Sequence, residues 1–287
     1  MLVLGHVCAR VRALPETAPE VLNRFVITIS LPAVVLRLIP KLHLEPSLLA
    51  VVAVPWVLAA VFASLVHVVS KAFGFSRGVT GALMLCVPLG NTSFLGFPMV
   101  SALLGPDAVR FAVLYDQLGS FLLLSTYGLV VVARFSGEAE PSPLTVLLRV
   151  LKFPPFLALL FAFLPIPRPP VVESVLERVG DTLVPLAMFA VGLKLSLRPP
   201  REAGPLFFGL GAKMILSPLV AFGFLKLVGA SPDAARVGVF EAGMPSMITA
   251  GALSILAGLA PELAAALVGY GVLLALLTLP ILARLLE

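Results

Sequence analysis

Residues 47–69 and 118–133 contain no Asp, Glu, Lys or Arg, and apolar side chains fill most of both runs. An α-helix needs about 20 such residues to cross a bilayer. A soluble domain carries roughly 25% charged residues, whereas 12% of these 287 residues are charged and 60% are hydrophobic. So little charge cannot cover a water-facing surface of this size, so the apolar surplus faces lipid. Only helices and closed barrels satisfy their backbone there. Barrel strands alternate apolar and polar residues, and these runs do not. The sequence predicts an all-α membrane protein of about ten transmembrane helices.

Spans are expected at 20–39, 47–70, 79–104, 109–133, 144–165, 173–195, 205–228, 234–256 and 262–284, preceded by an apolar start over 1–9. That start is too short to cross a bilayer as a helix. Either the first span is partial or the chain begins upstream of Met1. Arg10 and Arg12 close the start as interfacial charges, and no signal-peptide pattern precedes it. Cys8 and Cys86 lie far apart in apolar surroundings and read as packing residues. The net charge of +5 is scattered, with no Lys/Arg cluster dense enough for nucleic acid.

The chain also reads as duplicated. Leu104-Gly105-Pro106-Asp107 is echoed by Leu259-Ala260-Pro261-Glu262, and Tyr115 by Tyr270. Gly81, Pro88 and Thr92 are echoed by Gly238, Pro245 and Thr249, and Val21-Leu22-x-Arg24 by Val175-Leu176-x-Arg178, at offsets near 155. This predicts two repeats, 1–138 and 143–287, meeting at the polar stretch 134–143. About five spans per half is an odd number, so the halves insert with opposite topology, a pattern of secondary transporters. With these spans one membrane face receives eleven Lys and Arg residues, among them Arg77, Arg134 and Lys194, and the other receives eight. The first face is expected to be cytoplasmic, with both termini outside.

Within the fourth span, Val87-Pro88-Leu89-Gly90-Asn91-Thr92-Ser93-Phe94-Leu95-Gly96-Phe97-Pro98 places two prolines, two glycines and an Asn-Thr-Ser run among apolar residues. Proline removes a backbone donor and clashes with the preceding turn, so the helix breaks. Broken backbone at membrane depth is tolerated where it is buried or lines a cavity. The following half-helix presents free amides and a positive dipole end, suited to an anion, and Asn91 adds a side-chain donor and acceptor. A kinked packing helix capped by Asn91 is the plainer reading of the same residues. In the ninth span Glu241-Ala242-Gly243-Met244-Pro245-Ser246 repeats the pattern. Paired interrupted spans point to a transport site, and in an inverted repeat they cross near the midplane. Gly90, Asn91, Thr92, Pro88, Tyr115, Gly243, Pro245 and Ser246 are therefore the substrate-binding candidates.

Ionisable residues inside spans are costly and usually functional. Asp116, Lys213 and Glu241 are the candidates for coupling to an ion; Asp181, within the seventh span, reads more readily as a helix-start cap near the interface. A buried carboxyl can carry a proton, while a nearby lysine would hold it ionised. His67 stands alone in the third span and reads as a core residue. Asn91-Thr92-Ser93 matches a glycosylation sequon but lies too deep in a span to be one.

Asn91-Thr-Ser-Phe-Leu-Gly-Phe-Pro98 resembles the Asn-Thr-Gly-Phe-Leu-Gly-x-Pro signature of the auxin efflux carrier family, which is related to the bile acid–sodium symporters. The segment 180–192, Glu241-Ala-Gly-Met-Pro-Ser246 and Leu277-Thr-Leu-Pro280 resemble that family's seventh, ninth and tenth spans, so nearly the whole chain is covered. The resemblance implies a scaffold of spans one, two, six and seven and a moving transport part of spans three to five and eight to ten, with two broken, crossing helices. It implies elevator-type transport of small organic anions (auxin in plants, malate or malonate in bacteria), with Asn91 meeting the substrate carboxylate. Gly90 stands where plant carriers have proline, which argues against auxin itself. Protons or sodium are the coupling ions this implies, with no cofactor, a homodimer through the scaffold helices, and residence in a cell membrane of the bacterial inner-membrane type. No metal or phosphate-loop motif supports an enzyme, and no filter sequence supports a channel.

The charge bias yields a topology test. Single cysteines placed in the 134–143 stretch are expected to label from the cytoplasm, and one at Glu287 from outside. A C-terminus labelled only from the cytoplasm would refute this orientation.

Overall fold

The computed structural model describes residues 1–41, 46–136, 151–164, 168–194 and 203–287, with isolated positions 142, 144, 147 and 148. All of its named elements are helical. In chain order they are α1 (Leu2–Arg10), α2 (Ala18–Leu38), α3 (Pro46–Ala72), α4 (Arg77–Cys86), α5 (Thr92–Leu103), α6 (Pro106–Ser136) and α7 (Pro154–Ala162). They continue with α8 (Pro170–Gly180), α9 (Leu183–Lys194), α10 (Ala203–Leu227), α11 (Pro232–Ala242), α12 (Ile248–Leu256) and α13 (Pro261–Leu285). Among the described residues five helices, α2, α3, α6, α10 and α13, are long and apolar enough to cross a membrane. Their outward faces are apolar: Leu49 is 74% exposed and Phe207 72% exposed, which suits a lipid environment and not water.

The expected spans over 20–39, 47–70, 109–133, 205–228 and 262–284 fall on these five helices, while 79–104 divides into α4 and α5 and 234–256 into α11 and α12 at the expected breaks. The span over 173–195 is interrupted, since α8 ends at Gly180 and α9 begins at Leu183. Asp181 lies in that gap, not inside a span; its side chain is 70% exposed and pairs with Arg37 of α2 at 3.6 Å, and Arg37 also reaches Glu177 at 3.4 Å. An exposed ion pair of this kind contributes little to stability, but it leaves Asp181 no role in the interior. The span over 144–165 lies partly outside the described residues, and α7 is its described portion. The short start is α1, nine residues long.

Two groups of helices pack chiefly among themselves. One comprises α1, α2, α7, α8 and α9, with α1 laid along α9 and α2 against α7 and α8; the other joins α3, α4, α5, α6, α10, α11, α12 and α13, with α5 packed on α6 and also touching α9. The α1–α9 contact is a backbone-to-backbone approach. A Cβ on Gly192 would stand 2.1 Å from the Leu2 carbonyl oxygen, and one on Gly5 would stand 2.3 Å from that of Phe189. Close helix approach through small residues is how membrane helices associate where lipid removes the hydrophobic drive.

Several helices contain a wider π turn: Val26–Ser30 in α2, Thr92–Gly96 in α5, Tyr115–Ser120 and Leu124–Gly128 in α6, and Ala212–Leu216 in α10. Such turns rotate a helix face out of register and concentrate at functional sites. Here they carry Asp116 and Lys213.

The α1–α9 contact gives a direct test. Gly192→Val must separate two backbones, and overpacking of this kind costs about 1–3 kcal/mol. The detergent-solubilised variant is expected to melt several degrees below the parent, while Gly204→Val, at a position with open space, is expected to melt with it.

Candidate functional site

The chain leaves helical geometry between α4 and α5 and again between α11 and α12, and the two gaps pair. Gly90 and Ser246 form an isolated antiparallel bridge. The Asn91 N–H donates to the Pro245 carbonyl at 2.8 Å, and the Met247 N–H donates to the Leu89 carbonyl at 2.9 Å. Pro88, Gly90, Gly243, Pro245 and Ser246 belong to these two straps. Pro245 packs on Gly271 of α13, and Gly243 on Leu282 and Leu279. Ser246 is buried with its hydroxyl unpartnered.

Beside the straps lies a cavity of about 320 Å³. On one side it is walled by Val26 and Leu31 of α2, Phe153 and Leu183. On the other stand Asn91, Thr92, Ser93 and Phe97 with Asp116 and Phe121 of α6, and with Met247, Thr249 and Leu253 at α12. The cavity therefore sits between the two helix groups. Phe121 and Phe153, one from each side, stack with centroids 3.8 Å apart. The N-terminal ends of α5 and α12 both face it, and free amides and a positive dipole end at such positions favour an anion.

Asn91 is 1% exposed, and neither its amide nitrogen nor its amide oxygen has a protein partner. Buried polar groups are nearly always paired, yet this amide on the cavity wall keeps a donor and an acceptor unused by the protein. Asp116 is the opposite case. Its Oδ1 accepts from the Thr92 hydroxyl at 2.6 Å and the Ser93 hydroxyl at 2.5 Å, and its Oδ2 accepts from the Gln117 amide at 2.6 Å. This acid ties the start of α5 to α6 and so fixes the wall on which Asn91 sits.

The other two ionisable residues lie behind the straps. Lys213 is 2% exposed. Its ammonium donates to the Ala242 carbonyl at 3.4 Å and stands 3.1 Å from where a Cβ on Gly90 would be, so it touches both breaks. Glu241 is fully buried and neither carboxylate oxygen has a hydrogen-bond partner. Those oxygens lie 2.6 and 2.8 Å from the position of a Cβ on Gly96; only glycine leaves room for them there. No ion pair joins Lys213 to either acid among the described residues.

Of the residues singled out from sequence, the cavity thus brings together Asn91, Thr92 and Asp116. Tyr115 is buried on the same π turn as Asp116 but off the cavity wall, and Lys213 and Glu241 form a separate buried group at the crossing. Phe121, Phe153, Met247 and Leu253 carry no sequence signal that sets them apart from other apolar span residues. Ser93 and Thr249 do, through the Asn-Thr-Ser run and the repeat. Among the described residues no cluster of His, Cys, Asp and Glu could hold a metal ion.

A family model described as membrane transport protein matches residues 1–283. The chain is 24% identical over 288 residues, 98% of this chain and 93% of the relative, to an uncharacterized transporter of Methanothermobacter thermautotrophicus. It is 29% identical over 262 residues, 86% of this chain and 82% of the relative, to an uncharacterized transporter of Methanocaldococcus jannaschii. It is 25% identical over 270 residues, 86% of this chain and 80% of the relative, to a Rhizobium meliloti protein named "Putative malonate transporter".

The Asp116 network predicts an asymmetry between two variants. Asp116→Ala leaves three donors without this acceptor, and for the two buried ones, on Thr92 and Gln117, the cost is about 1–3 kcal/mol each; the variant is expected to melt well below the parent. Asp116→Asn keeps Oδ1 for both hydroxyls, and Gln117 can turn its unpartnered Oε1 to the new amide. That variant is expected to melt near the parent.

Proposed function

The chain belongs to the auxin efflux carrier family of membrane transport proteins, and on that premise we propose that it is a secondary active transporter of small organic anions, mono- or dicarboxylates such as malonate or malate. It is a multi-pass membrane protein, and the cell membrane is its proposed residence. The observation that carries the reading is the unpartnered, buried Asn91 amide on the wall of a cavity flanked by two helix N-termini. A carboxylate there would accept from the amide nitrogen and from free backbone donors. A cavity of about 320 Å³ is at the small end of ligand pockets, which favours a small acid over a bulky one.

The proposed architecture is a ten-span inverted repeat. In it the group containing α1, α2, α7, α8 and α9 is the scaffold, and the remaining helices move as an elevator. The location of the cavity between these groups supports it, because sliding one past the other would carry Asn91 from one membrane face to the other. Dimerisation through the scaffold would hold that part still.

Coupling is proposed to be to protons, through Asp116 or Glu241. Both acids lie on the moving side, and Glu241 has no hydrogen-bond partner, so a proton would satisfy it. A sodium ion would satisfy it equally, which keeps the sodium-coupled symporter as the second reading. Lys213, in contact with both breaks, places its amine beside them.

The test is uptake of labelled malonate and malate into proteoliposomes under an imposed pH gradient or an imposed sodium gradient. A pH gradient is expected to drive accumulation, with loss in Asp116→Asn or Glu241→Gln. Drive by sodium alone would replace the proton with sodium, and drive by neither would make the protein a uniporter. Asn91→Ala is expected to weaken substrate binding at least about fivefold, the lower end of losing one buried hydrogen-bond partner, with an unchanged melting temperature. Unchanged affinity would move the site elsewhere.

A further inference from the structure

A second opening lies away from the Asn91 cavity, between α3, α4 and α6. It is an open groove of about 860 Å³. Its rim carries His67 and Lys71 from the last turns of α3, Arg77 from the first turn of α4 and Arg134 from the end of α6, and no carboxylate lines it among the described residues. The Arg77 guanidinium donates to the Arg134 carbonyl at 2.5 Å and so joins the start of α4 to the end of α6. Gly74, at φ +64, stops α3 in a left-handed turn, and Ser76 caps α4 by accepting from the Val79 N–H at 3.3 Å. The polar rim is thus built where α3 and α6, both of membrane length, end and the shorter α4 begins.

Below the rim the walls turn apolar, with Ala63, Met84 and Val130 facing in. Ser70 is buried there with its hydroxyl unpartnered. The flank beside the groove is lipid-like in character: Val68 is 63% exposed and Phe73 74% exposed, and Phe73 stacks on Phe75 at 6.1 Å. Exposed aromatics and cations together at a helix end mark the membrane–water interface.

We propose that this groove binds an anionic phospholipid, its headgroup phosphate held by Lys71, Arg77 and Arg134 and an acyl chain lying on the apolar wall. Charge and shape both select this occupant. A soluble anion would use the cations but leave the apolar wall bare, while a zwitterionic lipid would bring a second positive charge into a rim whose described residues offer no negative side chain to receive it. Basic pockets between helices at the membrane surface hold acidic headgroups in this way. The inference rests on the chain spanning a membrane and is independent of what it transports.

The experiment uses the purified full chain in neutral detergent, titrated with phosphatidylglycerol or phosphatidylcholine. Retained lipid is read by native mass spectrometry and stability by melting temperature. Phosphatidylglycerol is expected to be retained and to raise the melting temperature above phosphatidylcholine. Lys71→Ala and Arg134→Ala, both at exposed positions, are each expected to weaken retention about fivefold, the effect of one cation near a charged membrane surface. Lys226→Ala, an exposed cation on α10, is expected to change nothing. Equal retention of the two lipids by the parent protein overturns the proposal without reference to any variant. Equal loss in Lys226→Ala overturns it in favour of general surface charge. Glycerol phosphate matching phosphatidylglycerol in stabilisation overturns it in favour of a soluble-anion site. Each of these outcomes leaves the transport reading untouched, since none involves Asn91 or its cavity.

Discussion

Backbone that leaves a helix at membrane depth exposes N–H and C=O groups that hydrocarbon cannot serve, each at a cost of several kcal/mol. Here the two interruptions serve each other. Asn91 donates to Pro245 and Met247 donates to Leu89, so a short antiparallel pairing replaces the helical bonds that Pro88 and Pro245 deny. Everything at the candidate site depends on this exchange. It sets the starts of α5 and α12 side by side, directs both of their N-terminal ends toward one cavity, and holds the Asn91 side chain where nothing in the protein satisfies it.

The charged residues divide the labour around that crossing. Asp116 is saturated by three short hydrogen bonds and acts on the cavity through the residues it positions. Glu241 has none and is confined against Gly96 by a fit with no spare space. Lys213 spans the two breaks. A fully bonded acid resists change of its surroundings, whereas an unbonded buried acid is sensitive to any proton, cation or backbone shift that reaches it. The two carboxyls are therefore unlike in kind, though both were picked out by the same rule, that charge inside a span is costly.

Long apolar runs and proline-glycine clusters act locally, and this is why the helices and both broken spans were legible from sequence. The gap at Asp181 was not, because Gly180-Asp181-Thr182 carries a weak breaking signal and the residues that meet it, Val34 on Gly180 and Ser30 on Thr182, lie far away in the chain. The π turns were equally hidden, since one extra residue per turn is decided by what a helix packs against. Asn91, Thr92 and Asp116 stood out as polar residues in an apolar context. Phe121, Phe153 and Met247 did not, because a membrane span uses apolar side chains for lipid contact, core and cavity alike, and only the packed structure sorts them.

The pairing of the two breaks also sets an order of assembly. The Asn91 N–H and the Leu89 carbonyl take their partners from Pro245 and Met247, in a distant and later part of the chain. Backbone polar groups at membrane depth are costly while they lack partners. The first break is therefore completed only once the second strap has joined the bundle, and the early helices wait on the late ones for their final form.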